Sequence, residues 1–198
     1  MYGAILGDII GSPFELDRGD KTKDFELFTK GCQFTDDSVM TVAIAEALIA
    51  VGPDATKEEI EEAVTANMQD WGKRYPHAGY GGRFRYWLEA PSPKPYNSYG
   101  NGSAMRVSAV GWLYPTLERT REVAAYTAEV THNHPEGIKG AEATASCIFL
   151  ARHDMMEIAY KSDKVQGLVI NPFGKYVRLT KELLGFILKE FTENWQEN

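Results

Sequence analysis

Apolar residues recur at helical spacing through most of this chain. Between residues 39 and 51 they run almost without interruption, which indicates a strongly buried helix that includes Ile49. Thr56 and Glu59 have the spacing of a capping box, and apolar residues follow at helical intervals as far as Trp71. Further helices are predicted over residues 103–114, 117–131 and 138–152, and the clearest amphipathic pattern covers 180–195.

These patterns predict an all-α, single-domain protein. The alternation of apolar and polar residues that is typical of strands is found at most around residues 168–170. The segment 4–10 is apolar, and glycines at positions 3, 7 and 11 would let its helix pack closely on another. Segment 76–95 is rich in Gly, Pro and aromatic residues, which predicts a long loop with a short helix at 84–88. Loops of this length in compact domains are often functional.

Composition narrows the class of protein. A chain of 198 residues is long enough for one sizeable core and does not require two domains. The net charge of -7, without a basic block, argues against nucleic-acid binding through a broad positive face. No apolar run is long enough to span a membrane, and the apolar N-terminus lacks the basic leader of a signal peptide. Only Cys32 and Cys147 occur, so we expect a reducing, cytoplasmic location.

Thr35, Asp36 and Asp37 stand directly before the buried helix. Thr35 or Asp36 is the natural N-cap, and an ordinary capped helix would explain the segment by itself. The three residues also bring hydroxyl and carboxylate oxygens to the positive end of a helix dipole. Oxygen ligands of this kind suit Mg²⁺ or Mn²⁺ better than zinc. Both readings stay open on this segment alone.

Three further polar segments are candidates for chemistry. Pro13 should end the first helix and leave Glu15 at the start of a segment that runs to residue 30, where its carboxylate could act as a gate, as a base or simply as a solvated loop residue. The segment 99–106 offers glycines and free amides before a helix, which suit phosphate, and Arg106 could pair with it. A glycine turn with Ser103 as N-cap is the alternative. His132 and His134 give only a weak zinc signal, and a hydrogen-bonding or ribose-contacting His132 is at least as plausible.

Taken in order, four segments resemble the ADP-ribosylglycohydrolase family. They are Gly-Asp-x-x-Gly-x-x-x-Glu from residue 7, Phe-Thr-Asp-Asp-Ser from 34, Gly-Asn-Gly-Ser-Ala-Met-Arg from 100 and Thr-His-x-His-Pro from 131. The resemblance covers about residues 1–152 and leaves 153–198 as a divergent helical tail of the same domain. It implies a compact helical fold, two Mg²⁺ or Mn²⁺ ions in a cleft, and hydrolysis of the glycosidic bond at C1″ of an ADP-ribosyl group.

The resemblance also assigns roles to particular residues. It makes Thr35, Asp36 and Asp37 metal ligands, and Glu15, Asp36 and Asp37 the catalytic carboxylates. Substrate would be held by Gly100, Asn101, Gly102, Ser103, Arg106 and His132. The implied partner is ADP-ribose, or a protein or small molecule that carries it.

One expected motif is absent from the sequence. The family carries a late Asp-x-Asp-Thr/Ser segment that completes the two-metal site, whereas Asp154 and Asp163 are isolated here. We therefore expect a C-terminally shortened fold that holds at most one cation well, with weak or absent turnover. The chain could be a truncated product, a natural variant that binds without turnover, or one subunit of an oligomer that supplies the missing ligands. Three functions follow: a metal-dependent hydrolase, a catalytically inactive ADP-ribose-binding module, or a helical interaction protein.

Overall fold

A computed structural model of the protein describes residues 1–15 and 24–152. Within these two ranges the regular structure is entirely helical, which confirms the predicted fold class. The predicted helix at 180–195 and the strand-like stretch at 168–170 lie outside the described residues. The α-helices are α1 (Tyr2–Gly11), α2 (Asp36–Val51), α3 (Lys57–Arg74), α4 (Gly82–Glu89), α5 (Gly102–Met105), α6 (Val110–Leu113), α7 (Leu117–Glu129) and α8 (Pro135–Arg152); short 3₁₀ turns cover Ser12–Phe14 and Val107–Ala109.

The core is built around α2. Most of its residues are buried, as the apolar run predicts, but Glu46, Ile49 and Ala50 near its C-terminal end are exposed, so the prediction is wrong for Ile49. Thr35 is its N-cap and accepts a hydrogen bond from the Asp37 amide at 3.4 Å. On one side α2 packs against α3, and its N-terminal end also contacts α1. The first turn of α2, which carries Asp36 and Asp37, is therefore held in place from two directions.

The capping box at the start of α3 forms as predicted. The Thr56 hydroxyl accepts from the Glu59 amide at 3.3 Å, and the Glu59 carboxylate accepts from the Thr56 amide at 2.8 Å. Four buried residues then face the core at helical spacing: Ile60, Val64, Met68 and Gly72.

The single helix predicted over residues 103–114 is wrong. The segment is divided into α5, the second 3₁₀ turn and α6. The break falls at Arg106, whose backbone leaves helical geometry at φ -96° and ψ -4°. Its guanidinium enters the core and donates to the Thr127 carbonyl at 3.0 Å. A long-range contact thus overrides a local helical pattern.

The segment between α3 and α5, which contains α4, is hydrogen-bonded to the junction between α7 and α8. Arg83 donates to the Tyr96 carbonyl at 3.1 Å, and the Tyr96 amide donates to the Thr131 carbonyl at 3.2 Å. The short helix predicted at 84–88 is present as the longer α4. Helices α7 and α8 pack against each other across a five-residue connection, and Pro135 opens α8 at a position where its missing N–H does no harm. This arrangement brings the loop, α5 and His132 to one surface.

Within residues 1–15 and 24–152, no helix combines the length and the apolar character needed to cross a bilayer.

Candidate functional site

Asp8 organises the acidic end of the site. Its carboxylate accepts from the Thr35 amide at 2.8 Å, the Thr35 hydroxyl at 2.6 Å, the Ser38 amide at 3.1 Å and the Ser38 hydroxyl at 2.5 Å. These donors all belong to the N-terminal turn of α2, so Asp8 supplies a negative charge where the helix dipole is positive. The sequence prediction did not give Asp8 a role. The signal was a single carboxylate inside the apolar segment of α1.

Thr35 caps the N-terminus of α2. Its hydroxyl donates to Asp8 and accepts from the Asp37 amide, and its side chain is buried. The capping interpretation of the segment is therefore correct, and one lone pair of the hydroxyl is left for any other partner. The predicted role of Thr35 as a metal ligand stays a prediction.

The carboxyl groups of Asp36 and Asp37 both have raised pKa values. Burial raises the pKa of Asp36 to about 6, with the carboxylates of Asp37, Glu15 and Asp8 adding to the rise. Burial also raises the pKa of Asp37, followed by the charges of Asp8 and Glu15. Four carboxylates therefore act on each other here, and a bound cation would relieve their repulsion.

Two cavities meet at Asp36. The first, of about 440 Å³, is lined by Glu15, Thr35 and Asp36 on its acidic side, with aromatic residues opposite. The second, of about 330 Å³, is lined by Asp36 together with Gly100, Asn101, Gly102, Arg106 and His132. Backbone freedom at Gly79 matters here, since it adopts φ +104° while a Cβ at that position would lie 3.6 Å from the Asp36 carboxylate. We call the second cavity the glycine-turn cleft.

His132 closes the glycine-turn cleft. Its Nδ1 lies 2.7 Å from the Thr131 hydroxyl, and burial lowers its pKa to about 4, with the charge of Arg106 contributing. The other edge of the ring faces the glycines: a Cβ on Gly102 would lie 2.9 Å from both Cε1 and Nε2. A side chain larger than glycine at 102 would therefore collide with the imidazole. The ring is neutral at physiological pH.

Arg106 forms the floor of the cleft. The side chain is 1 % exposed and donates to the Thr127 carbonyl and, at 2.7 Å, to the Thr131 hydroxyl. Burial lowers its pKa to about 10. Nη2 of Arg106 is directed to α7 and to Thr131, so the predicted pairing with phosphate would need another of its nitrogens and stays a prediction.

Ser103 does not bring its hydroxyl into the cleft. The hydroxyl is buried and donates to the Gly137 carbonyl at 2.7 Å, which ties α5 to the start of α8. Its predicted contact with substrate would thus have to come from the backbone. Gly100, Asn101 and Gly102 do line the cleft.

Tyr80 is a residue that the sequence analysis missed. It is 8 % exposed, and no hydrogen-bond partner for its hydroxyl is found among the described residues. Burial and the charge of Asp36 raise its pKa to about 12, so the phenol keeps its proton. A tyrosine in a Gly- and Pro-rich loop carries no local sign that it will lie beside a carboxylate.

The residues at the acidic end fit a divalent cation only in part. Carboxylate and hydroxyl oxygens are the ligands that Mg²⁺ and Mn²⁺ prefer, and Asp36 and Asp37 are partly buried beside the carboxylates of Asp8 and Glu15. Within the two described ranges, however, no group of three or more His, Cys, Asp or Glu residues has the arrangement of a metal site. Asp36 and Asp37 would hold one side of a cation.

Comparison with known proteins gives a consistent family. The family model described as ADP-ribosylglycohydrolase matches residues 1–193, which extends past the quoted motifs. ADP-ribosylhydrolase ARH3 of Gallus gallus is 29% identical over 184 residues, covering 76% of this chain and 48% of that protein. ARH3 of Bos taurus is 31% identical over 182 residues with 76% and 48% coverage, and the uncharacterized protein YegU of Escherichia coli is 28% identical over 179 residues with 75% and 51% coverage. The chain thus spans about half the length of these curated relatives.

Proposed function

Because this chain belongs to the ADP-ribosylglycohydrolase family, we propose that it removes ADP-ribose from a modified protein side chain or small acceptor by metal-dependent hydrolysis. The observation that carries the proposal is the position of Asp36, which lines both the first cavity and the glycine-turn cleft. A ligand with its diphosphate in the cleft could place a ribose next to Asp36.

The glycine-turn cleft supplies the binding part of the proposed reaction. Glycines at 100 and 102 let the backbone approach a ligand closely, and the neutral imidazole of His132 offers hydrogen bonding without a charge. Buried Arg106 adds a positive potential from behind. These features suit the diphosphate and ribose of ADP-ribose.

The first cavity, lined by Glu15, Thr35 and Asp36, would supply the catalytic groups, and we call it the acidic cavity. In hydrolysis, the bond from C1″ to the acceptor breaks and the acceptor leaves with the bonding electron pair and takes up a proton, while a water oxygen bonds to C1″ and gives up one proton. Glu15 and Asp36, which line this cavity, and the adjacent Asp37 are the carboxylates that would orient the water and accept its proton. A divalent cation held by Asp36 and Asp37 would supply charge stabilisation and a more acidic water.

A release assay tests this function. Peptides with arginine-linked and serine-linked ADP-ribose would be incubated with the protein and Mg²⁺ or Mn²⁺, and free ADP-ribose measured. Because the visible ligand set is incomplete, we expect slow release by the wild type, its loss in Asp36→Asn, and the same slow release as the wild type in Asp54→Asn, which changes an exposed aspartate away from both cavities. Release that is equal in the wild type and in Asp36→Asn would contradict the proposal.

The second candidate is an ADP-ribose-binding module without turnover. It is favoured by the incomplete ligand set around Asp36 and Asp37 within the described residues. The cleft does not depend on that set, so binding could persist without catalysis. A rise in melting temperature with ADP-ribose, together with no release from either peptide, would identify this module.

A further inference from the structure

Arg106, Thr131 and His132 form a buried chain of hydrogen bonds that ends at the glycine-turn cleft. Arg106 Nη2 lies 3.0 Å from the Thr127 carbonyl and 2.7 Å from Thr131 Oγ1, and Thr131 Oγ1 lies 2.7 Å from His132 Nδ1. Thr131 is 0% and His132 4% exposed, so water does not compete freely for these atoms. These three contacts therefore have to be satisfied within the protein, while Nε of Arg106 is buried without a hydrogen-bond partner among the described residues.

The direction of the hydrogen bonds follows from the chemistry of the three groups. A guanidinium can only donate, so Thr131 Oγ1 accepts from Arg106. The Thr131 hydroxyl still carries its own hydrogen, and the acceptor that the described contacts offer it is Nδ1 of His132. Nδ1 must then be unprotonated. Because a neutral imidazole carries one proton, that proton is on Nε2.

Nε2 is the ring atom that faces the cleft. A Cβ on Gly102 would lie 2.9 Å from it, and a Cβ on Gly100 would lie 3.9 Å away. His132 lines the cavity together with these glycines, Asn101 and Asp36. A hydrogen on Nε2 thus points to the space where a ligand would pass the glycine turn.

We propose that Arg106 and Thr131 are positioning residues that fix His132 as the Nε2–H tautomer, so that the glycine-turn cleft accepts a ligand atom with a lone pair and not a donor. This proposal rests on the proposed function for the identity of its ligand. The matching chemistry is a phosphate or ribose oxygen of ADP-ribose. The buried guanidinium of Arg106 acts through Thr131 and needs no direct contact with the ligand.

The tautomer can be measured without any ligand. In protein labelled with ¹⁵N at histidine, long-range proton–nitrogen correlation spectra distinguish a protonated Nε2 from a protonated Nδ1, and the spectrum of His132→Gln identifies the His132 signals. We expect the Nε2–H pattern in the wild type and in Thr131→Ser, which keeps the hydroxyl, and a mixture of tautomers in Thr131→Val. A wild-type Nδ1–H pattern would overturn the proposal, and this test does not need Thr131→Val to fold.

Affinity for ADP-ribose, measured by calorimetry, is the second arm. We expect Thr131→Val to weaken binding about three- to tenfold, the effect of one misdirected hydrogen bond, and Thr131→Ser to restore it. The control is Thr120→Val. Thr120 is a buried threonine in α7, and its hydroxyl donates to the Thr116 carbonyl, away from His132.

Thr120→Val should lower the melting temperature but change neither the tautomer nor the affinity. Wild-type tautomer and affinity in Thr131→Val would overturn the proposal. An Nε2–H wild type that does not bind ADP-ribose would support the tautomer assignment while removing the proposed function.

Discussion

Replacement of Asp8 gives the sharpest test of how the acidic end is built. The carboxylate receives three hydrogen bonds on Oδ2, from the Thr35 amide and from the amide and hydroxyl of Ser38, and one on Oδ1 from the Thr35 hydroxyl. Asp8→Ala removes all four acceptor contacts. At about 1 kcal/mol for each bond, reduced because water can reach part of the site, the free energy of unfolding should fall by about 3 kcal/mol.

Asp8→Asn should be much milder. An asparagine carbonyl in the place of Oδ2 keeps three of the bonds, and its amide nitrogen in the place of Oδ1 can donate to the Thr35 hydroxyl once that group rotates. What is lost is the negative charge at the N-terminus of α2, which is worth about 0.5–1 kcal/mol.

Urea unfolding in the presence of EDTA measures both variants without a contribution from bound metal, and Asp54→Ala and Asp54→Asn are the surface controls, expected within about 0.5 kcal/mol of the wild type. A loss below about 1 kcal/mol for Asp8→Ala, or equal losses for Ala and Asn, would refute this account.

Three other changes test the two cavities. His132 has a pKa of about 4 in the folded protein against 6.5 as its ordinary value, so the unfolded chain binds more protons, and the contribution of His132 is complete above pH 6.5 and is lost as the pH falls towards 4. The stability difference between the wild type and His132→Gln should shrink by about 1–2 kcal/mol over that window in urea titrations, and a constant difference would contradict the low pKa. Gly102→Ala should weaken ADP-ribose binding about tenfold in calorimetry because its Cβ collides with His132, whereas Gly11→Ala, which lies in α1 outside the cleft and meets no atom within 4 Å, should bind as the wild type does; equal affinities would exclude the close approach. Mg²⁺ or Mn²⁺ should give a binding heat with the wild type that is lost in Asp36→Asn, and equal negligible heats for both proteins would remove the metal from the proposed function.

Local chemistry made part of this structure predictable. The N-cap at Thr35 and the capping box of Thr56 and Glu59 depend on residues two or three positions apart, and both form as the sequence indicates. The apolar run of α2 likewise predicts a largely buried helix, although Ile49 is 67% exposed. In the two capping interactions the partners are neighbours in the chain, so the local pattern carries the whole interaction.

The parts that could not be predicted depend on distant partners. Asp8 binds groups 27 and 30 residues away, and Ser103 turns to a carbonyl 34 residues away. Arg106 breaks the predicted helix because its partners on α7 and at Thr131 lie 21 and 25 residues away. A sequence pattern shows that these residues are polar, but it does not show which buried group each will meet.

The two cavities share Asp36 but are supported by different parts of the fold. The acidic side depends on α1, because Asp8 holds the first turn of α2. The glycine-turn cleft depends on the junction of α7 and α8, because Thr131 and Arg106 hold His132. These supports have no residue in common, so damage to one should leave the other largely intact. We therefore expect the proposed nucleotide binding and the proposed cation binding to be separable by mutation, and the proposed hydrolysis to require both at the same time.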